Sequence, residues 1–427
     1  MSGMPESVGR YSLVRELGRG TTATVYLAHD PFAERDVAVK VFMHAPGDPG
    51  LRRGTHRSSF LNEAALVGKL HHPHIAALLD AAVEPGSSYV VMEYVPGGTL
   101  AQFATADKLL PPERVVELVF KLSRALEYAQ QHGVIHRDVK PANVLLTESL
   151  DVKLSDFGVA RIDNSTHTHI THVGSPAYLS PEHVADLPLS HQSDIYALGV
   201  VMYQLLTGRL PFNATSTAAL MYQILHYDAP RLRTLRPELP EAIEAIVSNA
   251  MQKDLSLRYQ SWFDFGKDLA RLARGLDQPS ANLSDSRKFH ALRDLPFFRG
   301  FSQVEIWETL RLAIWMRLAG DSVILAEGRP GDAVYILVEG RVEASRAGTP
   351  LATLGPGDLF GEILYFADNK AERSTTIRSL EPALLLEIKA AALNAASEAC
   401  QVQFNKACMC LLVERLSEAN RSRLAAR

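Results

Sequence analysis

Two short segments about one third of the way along the 427-residue chain carry side chains suited to phosphoryl transfer. In HRDVKPANVLL, Asp138 can orient an attacking hydroxyl or accept its proton, and Lys140 can neutralise a moving phosphoryl group. Asn143 in that segment and Asp156 in the following SDFG offer oxygen ligands, which Mg²⁺ prefers. The two segments therefore predict a magnesium-dependent transfer of a phosphoryl group to a hydroxyl.

Residues that could hold a nucleotide precede these segments. In LGRGTTATVYLA, Gly18 and Gly20 let the backbone approach a polyphosphate closely. By itself this turn is equally consistent with a structural hairpin, because Ala23 stands where G-x-G-x-x-G has its third glycine. Lys40 in VAVK could reach the phosphates, and Glu63 in FLNEAAL could hold that lysine, although an isolated ion pair of this kind is usually a surface pair of little energetic value.

The elements around these residues change character along the chain. From Tyr11 to about Tyr94, β-branched and aromatic runs alternate with turn residues, apart from one helical segment at about 59–70. After the glycines of PGG at 96–98 the pattern is helical to about Gly275, and PPERVVELVFKLSRALEYAQQHG ends on Gly133 as a helix should. We therefore expect a strand-rich lobe followed by a helical lobe.

Taken together and in this order, the motifs resemble the eukaryotic-type protein kinase family, and the resemblance covers residues 11–274. It implies a bilobal α+β fold that binds ATP and Mg²⁺ between its lobes. It also implies that Asp138 is the catalytic base, that Asn143 and Asp156 bind the metal, and that Lys40 pairs with Glu63. Later residues agree with the resemblance, because Arg258 could pair with Glu182 of SPE. The implied nucleotide-binding residues are Leu17, Gly18, Arg19, Gly20, Thr21, Thr22, Ala23, Thr24, Val25, Lys40, Glu63, Glu93 and Val95.

The position of Lys140, two residues after Asp138, resembles the serine/threonine branch of that family. The implied substrates are therefore serine and threonine hydroxyls of proteins. The alternative is a pseudokinase, a scaffold that responds to nucleotide without turnover. The enzyme is favoured because the chain has all five of the expected residues, which are Lys40, Glu63, Asp138, Asn143 and Asp156.

The segment THTHITH, residues 166–172, contains three histidines that could form a metal site. However, it lies between DFG and SPE, where the kinase family has its activation segment, and a polar, mobile segment lacks the rigid surroundings that metal ligands need. In the family, an arginine in the position of Arg137 pairs with a phosphate on this segment. We therefore expect autophosphorylation on Thr166, Thr168 and Thr171. Ser175 is the expected neighbour of Lys140.

A second domain is indicated by glycines that recur between short strands after residue 295. Residues 295–415 resemble a cyclic-nucleotide-binding domain, an eight-stranded roll with flanking helices, preceded by a linker at 275–294 and followed by a C-terminal helix to 427. The resemblance implies that Glu362 binds the ribose 2′-hydroxyl and Arg373 the cyclic phosphate. Ser374 is compatible with either cAMP or cGMP. Because Leu364 is bulkier than the usual residue, a roll used only for docking or dimerisation is the alternative.

Composition limits the remaining possibilities. The formal net charge of -4 gives no reason to expect nucleic acid as a partner. The three cysteines, Cys400, Cys408 and Cys410, are clustered and odd in number, and the N-terminus lacks the pattern of a signal peptide, so we expect a reducing, cytoplasmic setting. The apolar run 195–206 is too short to span a membrane and is expected to be a buried helix. The C-terminal helix, which has Cys400, Phe404, Cys408, Leu411 and Leu412 along one side, is a candidate site of homodimerisation.

Overall fold

The computed structural model describes residues 5–20, 23–43, 55–84, 87–157, 176–276, 283–362 and 372–425. The chain divides into two compact units, residues 1–280 and 281–427. Within the described ranges, no helix is both long enough and apolar enough to cross a membrane.

The first unit begins with a six-stranded antiparallel sheet in the order β1-β2-β3-β4-β6-β5. Strands β1 to β6 are, in chain order, Ser7–Val8, Tyr11–Arg19, Ala23–Asp30, Arg35–Met43, Leu78–Glu84 and Ser87–Glu93. Alternate β-branched and aromatic residues, among them Tyr11, Val39 and Val91, form a core on one face of the sheet. One helix, α1 (Thr55–Val67), lies between β4 and β5 in the chain and contacts β5.

The rest of the first unit is mostly helical, as predicted. Helices α2 to α8 are Pro112–Gln131, Pro181–Val184, His191–Thr207, Thr217–His226, Leu232–Leu235, Glu241–Ala250 and Trp262–Leu276. Helix α2 ends beside Gly133, whose φ of +76° is readily adopted only by glycine. Helix α4 is almost entirely buried, which confirms the buried helix predicted from its apolar run. A two-stranded sheet, β7 (Val144–Leu146) with β8 (Val152–Leu154), supports the segments that carry the predicted chemistry.

The second unit contains eight described strands in two four-stranded sheets, ordered β10-β15-β12-β13 and β14-β11-β16-β9. Strands β9 to β16 are Ile314–Leu318, Val323–Leu325, Ala333–Glu339, Val342–Arg346, Thr349–Leu354, Leu359–Phe360, Thr376–Ser379 and Ala383–Lys389. The two sheets share an apolar core that includes Leu337, Val342 and Leu385. Helices α9 (Asp285–Asp294) and α10 (Gln303–Leu312) precede the strands, and α11 (Ala390–Asn394) and α12 (Glu398–Ala425) follow them. This confirms the predicted roll with helices at both ends.

Two details differ from the sequence-based expectation. The predicted linker at 275–294 is too long, because α8 continues to Leu276 and residues 285–294 form α9. Helix α9 buries Phe289, whose ring lies 4.8 Å from that of Trp307 on α10, so this helix belongs to the second unit. In α12, Cys400, Phe404 and Cys408 are buried as predicted, whereas Leu412, expected on the same side, is 38% exposed.

Candidate active site

The turn between β2 and β3 carries the predicted phosphate-binding glycines. Gly18 pairs with Val25 across the two strands, and the Gly20 amide donates to the carbonyl of Ala23 at 2.8 Å. Ala23, which replaces the third glycine of the motif, lies at the start of β3, where extended backbone suits any residue. Alanine is therefore tolerated at this position. Thr21 and Thr22 lie outside the described residues, while Leu17, Arg19 and Thr24 flank the turn.

Lys40 lies on β4, in register with Val25 on β3 and Val90 on β6. Its ammonium Nζ lies 2.8 Å from Oδ1 of Asp156. Asp156 has a left-handed backbone with φ of +62°, an uncommon conformation for a residue with a side chain. The structure therefore joins the predicted phosphate-binding lysine directly to a predicted metal ligand.

Glu63 on α1 does not form the ion pair with Lys40 that the family resemblance implied. Among the residues that the structure describes, the buried Oε2 atom of Glu63 has no hydrogen-bond partner, and Lys40 pairs with Asp156 instead. Burial raises the pKa of Glu63, although the positive charge of Arg137 acts in the opposite direction. The physical reason is that the Asp156 carboxylate, at 2.8 Å, already neutralises the Lys40 ammonium in this conformation.

The structure brings Asp138, Lys140 and Asn143 together. Lys140 Nζ donates to Asp138 Oδ2 at 2.7 Å, and Asn143 Nδ2 donates to the same oxygen at 2.9 Å and to the Asp138 carbonyl at 2.8 Å. These three bonds fix the orientation of the Asp138 carboxylate. They also use the amide nitrogen of Asn143, so its Oδ1 is the atom with the chemistry to bind a cation.

The backbone of this catalytic loop is held by Asp194 at the N-terminal end of α4. The two carboxylate oxygens of Asp194 accept from the amides of His136 and Arg137, each at 2.8 Å. Full burial raises the pKa of Asp194, although these hydrogen bonds and the charge of Arg137 oppose the rise. Arg137 itself has φ of +65°, so the loop needs this anchoring to maintain an uncommon backbone conformation.

His136 connects the HRD and DFG segments, a role that we did not predict from the sequence. Its Nδ1 accepts from the Asp138 amide at 3.2 Å, and its Nε2 lies 2.9 Å from the carbonyl of Ser155. The proton therefore lies on Nε2, which donates to Ser155. The His136 ring also contacts Phe157 at 4.5 Å between ring centroids. The first position of HRD was the sequence signal that could have identified this residue.

The predicted nucleotide-binding residues Glu93 and Val95 lie at the end of β6 and two residues beyond it. The Glu93 amide donates to the carbonyl of Ala77, and its carboxylate is paired with Lys153 Nζ at 2.8 Å. Val95 is buried. The side chain of Glu93 is thus engaged within the protein, and any contact with a ligand must use its backbone.

The predicted pair between Glu182 and Arg258 is present and buried. Arg258 donates through Nη1 and Nη2 to Oε1 and Oε2 of Glu182 at 2.8 and 3.1 Å, and Ser193 donates to Oε1 at 2.7 Å. Burial alone would raise the pKa of Glu182, but the hydrogen bond and charge of Arg258 outweigh it and lower that pKa. This bidentate pair links α3, which follows the activation segment, to the helical core.

In the second unit, the candidate nucleotide residues already have partners in the protein. The buried guanidinium of Arg373 donates to the carbonyls of Gly361 and Ala333 at 3.1 and 3.0 Å. A Cβ atom on Gly361 would lie 2.5 Å from Arg373 Nη1, so this close approach requires glycine. Glu362 Oε1 accepts from Arg415 Nη1 of α12 at 3.4 Å, and Ser374 is exposed.

Several predicted residues lie outside the described ranges. These are the threonines Thr166, Thr168 and Thr171, Ser175, and the bulky Leu364 of the second unit.

Comparison with known proteins agrees with the geometry of the first unit. A family model described as protein kinase domain matches residues 11–262, which is more than half of the chain, and one described as cyclic nucleotide-binding domain matches residues 315–399. The chain belongs to the protein kinase family, and it carries a C-terminal domain of the cyclic-nucleotide-binding type.

Its relatives include bacterial serine/threonine kinases. It is 37% identical over 265 residues to the serine/threonine-protein kinase PrkC of Bacillus subtilis, covering 61% of this chain and 40% of PrkC. It is 38% identical over 276 residues to PknB of Mycolicibacterium smegmatis, covering 62% and 43% of the two chains. The chain therefore spans less than half the length of these curated relatives.

Solved structures show the same fold. The kinase domain of Mycobacterium tuberculosis PknI is 28% identical with a TM-score of 0.50, over 63% of this chain and 99% of that one. Rad53, in a structure with AMP-PNP, is 26% identical with a TM-score of 0.51, over 61% and 64% of the two chains.

Proposed function

We propose that the chain transfers the γ-phosphoryl group of ATP to serine or threonine hydroxyls of proteins. The observation that carries this proposal is the arrangement around Asp138, whose carboxylate is oriented by Lys140 and Asn143. Phosphoryl transfer depends on positioning and on charge stabilisation, and these three residues supply both. Asp138 receives or orients the hydroxyl proton, while Lys140 stabilises the charge that develops on the phosphoryl oxygens.

The donor set fits Mg²⁺ and ATP. Asn143 can offer its amide oxygen and Asp156 its carboxylate, and both are hard oxygen ligands. When bound, Mg²⁺ would neutralise phosphate charge. Lys40 would bind the phosphates once it leaves Asp156, and Gly18 and Gly20 leave room for them at the β2–β3 turn.

A test of this proposal is phosphoamino-acid analysis after incubation of the full chain with labelled ATP and Mg²⁺. We expect phosphoserine or phosphothreonine and no phosphotyrosine, and strongly reduced labelling for Lys40→Met. A chain that binds ATP but incorporates no label would support the alternative, a pseudokinase scaffold.

The second unit is proposed to regulate the kinase by binding cAMP or cGMP. Arg373 supports this proposal because, among the described residues, two of the five N–H groups of its guanidinium are used, by the carbonyls of Gly361 and Ala333. The remaining donors of a buried guanidinium suit a cyclic phosphate. Docking without a nucleotide is the alternative. Calorimetry of the full chain with each nucleotide distinguishes the two.

We also propose that the chain is located in the cytoplasm and forms a homodimer. Cys400 and Cys408 are buried free thiols and Cys410 is exposed, which supports a reducing, cytoplasmic setting. Homodimerisation through α12 is supported by its exposed apolar side chains at Val402, Met409 and Leu416, which are spaced by seven residues. This spacing repeats one face of a helix and suits pairing with the same helix of a second copy.

A further inference from the structure

Gly331, in the loop between β10 and β11, is surrounded in a way that requires a glycine although its backbone conformation does not. Its φ lies outside the left-handed region that favours glycine. A Cβ atom at Gly331 would instead overlap the guanidinium of Arg373. Its three nearest heavy atoms would be Nη2, Nε and Cζ of that side chain, with Cζ at 2.5 Å. The missing side chain of Gly331 therefore leaves the space that the guanidinium occupies.

The loop that carries Gly331 is tied to the backbone of Arg373 by two hydrogen bonds. The Arg373 amide donates to the carbonyl of Arg329 at 2.9 Å, and the Gly328 amide donates to the carbonyl of Arg373 at 2.8 Å. The loop could therefore move away from a side chain at position 331 only by breaking these bonds. The guanidinium would move more easily, because it is the end of a flexible side chain.

Moving the guanidinium would disturb the contacts that hold it in place. Its Nη1 and Nη2 donate to the carbonyls of Gly361 and Ala333 at 3.1 and 3.0 Å, and Arg373 is only 6% exposed. Because non-bonded heavy atoms in contact lie about 3.5–4.0 Å apart, a methyl group at position 331 would displace the guanidinium by about 1 Å or more. The position of the guanidinium thus depends on the absence of a side chain at Gly331.

We propose that Gly331 is a positioning residue, which lets Arg373 reach the carbonyls of Gly361 and Ala333 and present other N–H groups to a cyclic phosphate. The inference rests on the proposed binding of a cyclic nucleotide and adds a residue that fixes the phosphate contact. Hydrogen bonds to charged groups contribute more to binding than those between neutral groups. Displacing the guanidinium should therefore weaken nucleotide binding by about ten- to hundredfold.

The first test is calorimetry of the full chain with cAMP and with cGMP, comparing the wild type with Gly331→Ala. The matched control is Gly355→Ala in the same unit. The φ of Gly355 also lies outside the left-handed region, and among the described residues no heavy atom would lie within 4 Å of its Cβ. We expect the affinity to fall about ten- to hundredfold in Gly331→Ala and to remain unchanged in the control.

The second test asks whether Gly331 acts through Arg373, and it needs no nucleotide. Thermal unfolding is measured for Gly331→Ala in the wild-type chain and in Arg373→Ala. We expect the substitution to lower the unfolding midpoint of the second unit in the wild-type chain and to leave it unchanged in Arg373→Ala, where the overlapping side chain is gone. A glycine needed only for the shape of its loop would lower both midpoints equally.

Equal nucleotide affinity in the wild type and Gly331→Ala, or an equal loss of stability in both backgrounds, would overturn the role assigned to Gly331. If the wild type binds neither cAMP nor cGMP, the proposed nucleotide binding fails, and the role of Gly331 in it fails too. The unfolding measurements would then still show whether Gly331 makes room for Arg373, so the two failures can be told apart.

Discussion

Lys40 Nζ lies 2.8 Å from Asp156 Oδ1, whereas Oε2 of Glu63, the partner implied by the family, is buried with no hydrogen-bond partner among the described residues. Two carboxylates therefore stand in competition for one lysine. An unpaired buried carboxylate costs stability, and its persistence is expected where function needs it in a second arrangement. We infer that Glu63 is retained for the arrangement in which ATP and Mg²⁺ are bound.

This competition predicts opposite effects of Glu63→Gln on stability and on turnover. Because the pKa of Glu63 is raised in the folded state, its carboxylate destabilises the fold once the pH exceeds the unfolded pKa, and most fully above the folded pKa. The variant should therefore melt about 2–4 °C higher than the wild type at pH 7, a difference that disappears in acid. Phosphoryl transfer should nevertheless fall.

The measurement is thermal unfolding between pH 4 and pH 8 alongside a transfer assay. The control is Glu6→Gln at an exposed position, which should change neither the melting temperature nor the rate of phosphoryl transfer. A variant that is less stable at pH 7, or that transfers phosphate normally, would contradict this account of Glu63.

The buried pair of Arg258 and Glu182 should be essential for stability. Removing one partner leaves an uncompensated buried charge, so Arg258→Met should cost about 3–5 kcal/mol of unfolding free energy at neutral pH. The pKa of Glu182 is lowered in the folded state. The larger unfolding free energy of the wild type, relative to Arg258→Met, is therefore present above the unfolded pKa of Glu182 and is lost as the pH falls through its folded pKa.

Denaturant unfolding at several pH values checks this expectation. The control is Arg236→Met, whose partner Glu238 is 61% exposed, and which should cost no more than about 1 kcal/mol. Equal losses in the two variants would show that burial of the pair does not matter.

Autophosphorylation should occur on the activation segment. Incubation with ATP and Mg²⁺ should place phosphate on Thr166, Thr168 or Thr171, since Arg137 precedes the catalytic Asp138 and can pair with a phosphate. Mass spectrometry of the wild type and of a Thr166→Ala, Thr168→Ala, Thr171→Ala triple variant is the measurement. A fully active wild type with phosphate found only outside residues 159–182 would contradict the assignment.

Dimerisation through α12 predicts that the wild type has the mass of a dimer in solution and that a charge in the interface between the helices lowers it to that of a monomer. Met409 is 57% exposed and lies between Val402 and Leu416 on the exposed apolar face of α12. Met409→Glu would place a charge from each copy at the centre of the interface between the two helices. Light scattering should show a dimer for the wild type and a monomer for this variant. Leu351→Glu, at a site that is 59% exposed on β13, should remain dimeric. A wild type that is monomeric at micromolar concentration would refute the proposal.

Much of this architecture was accessible from the sequence. The kinase motifs and the glycines between short strands each predicted an element, because turn chemistry and phosphate binding restrict residue type locally. The pairing of Arg258 with Glu182 also followed, since both are fixed by the helical core.

What the sequence could not predict depends on conformation and on long-range contact. The partner of Lys40 is decided by the relative positions of α1 and the DFG segment, which the local motifs do not specify. Arg415 reaches Asp358 across 57 positions of the chain, and no spacing rule links a helical arginine to that carboxylate. Helix α9 was missed because polar residues precede it and only three of its residues are buried.

The most direct test of the proposed activity is transfer of labelled phosphate from ATP·Mg²⁺ by the wild type and by Asp138→Asn, to the chain itself and to a generic basic protein. Loss of the Asp138 carboxylate removes the hydroxyl orientation that Lys140 and Asn143 support, while the ATP-binding residues remain. We expect a rate lower by about 10²–10⁴-fold with ATP affinity nearly unchanged. Near-normal transfer by Asp138→Asn, or no transfer by the wild type, would contradict the assigned kinase mechanism.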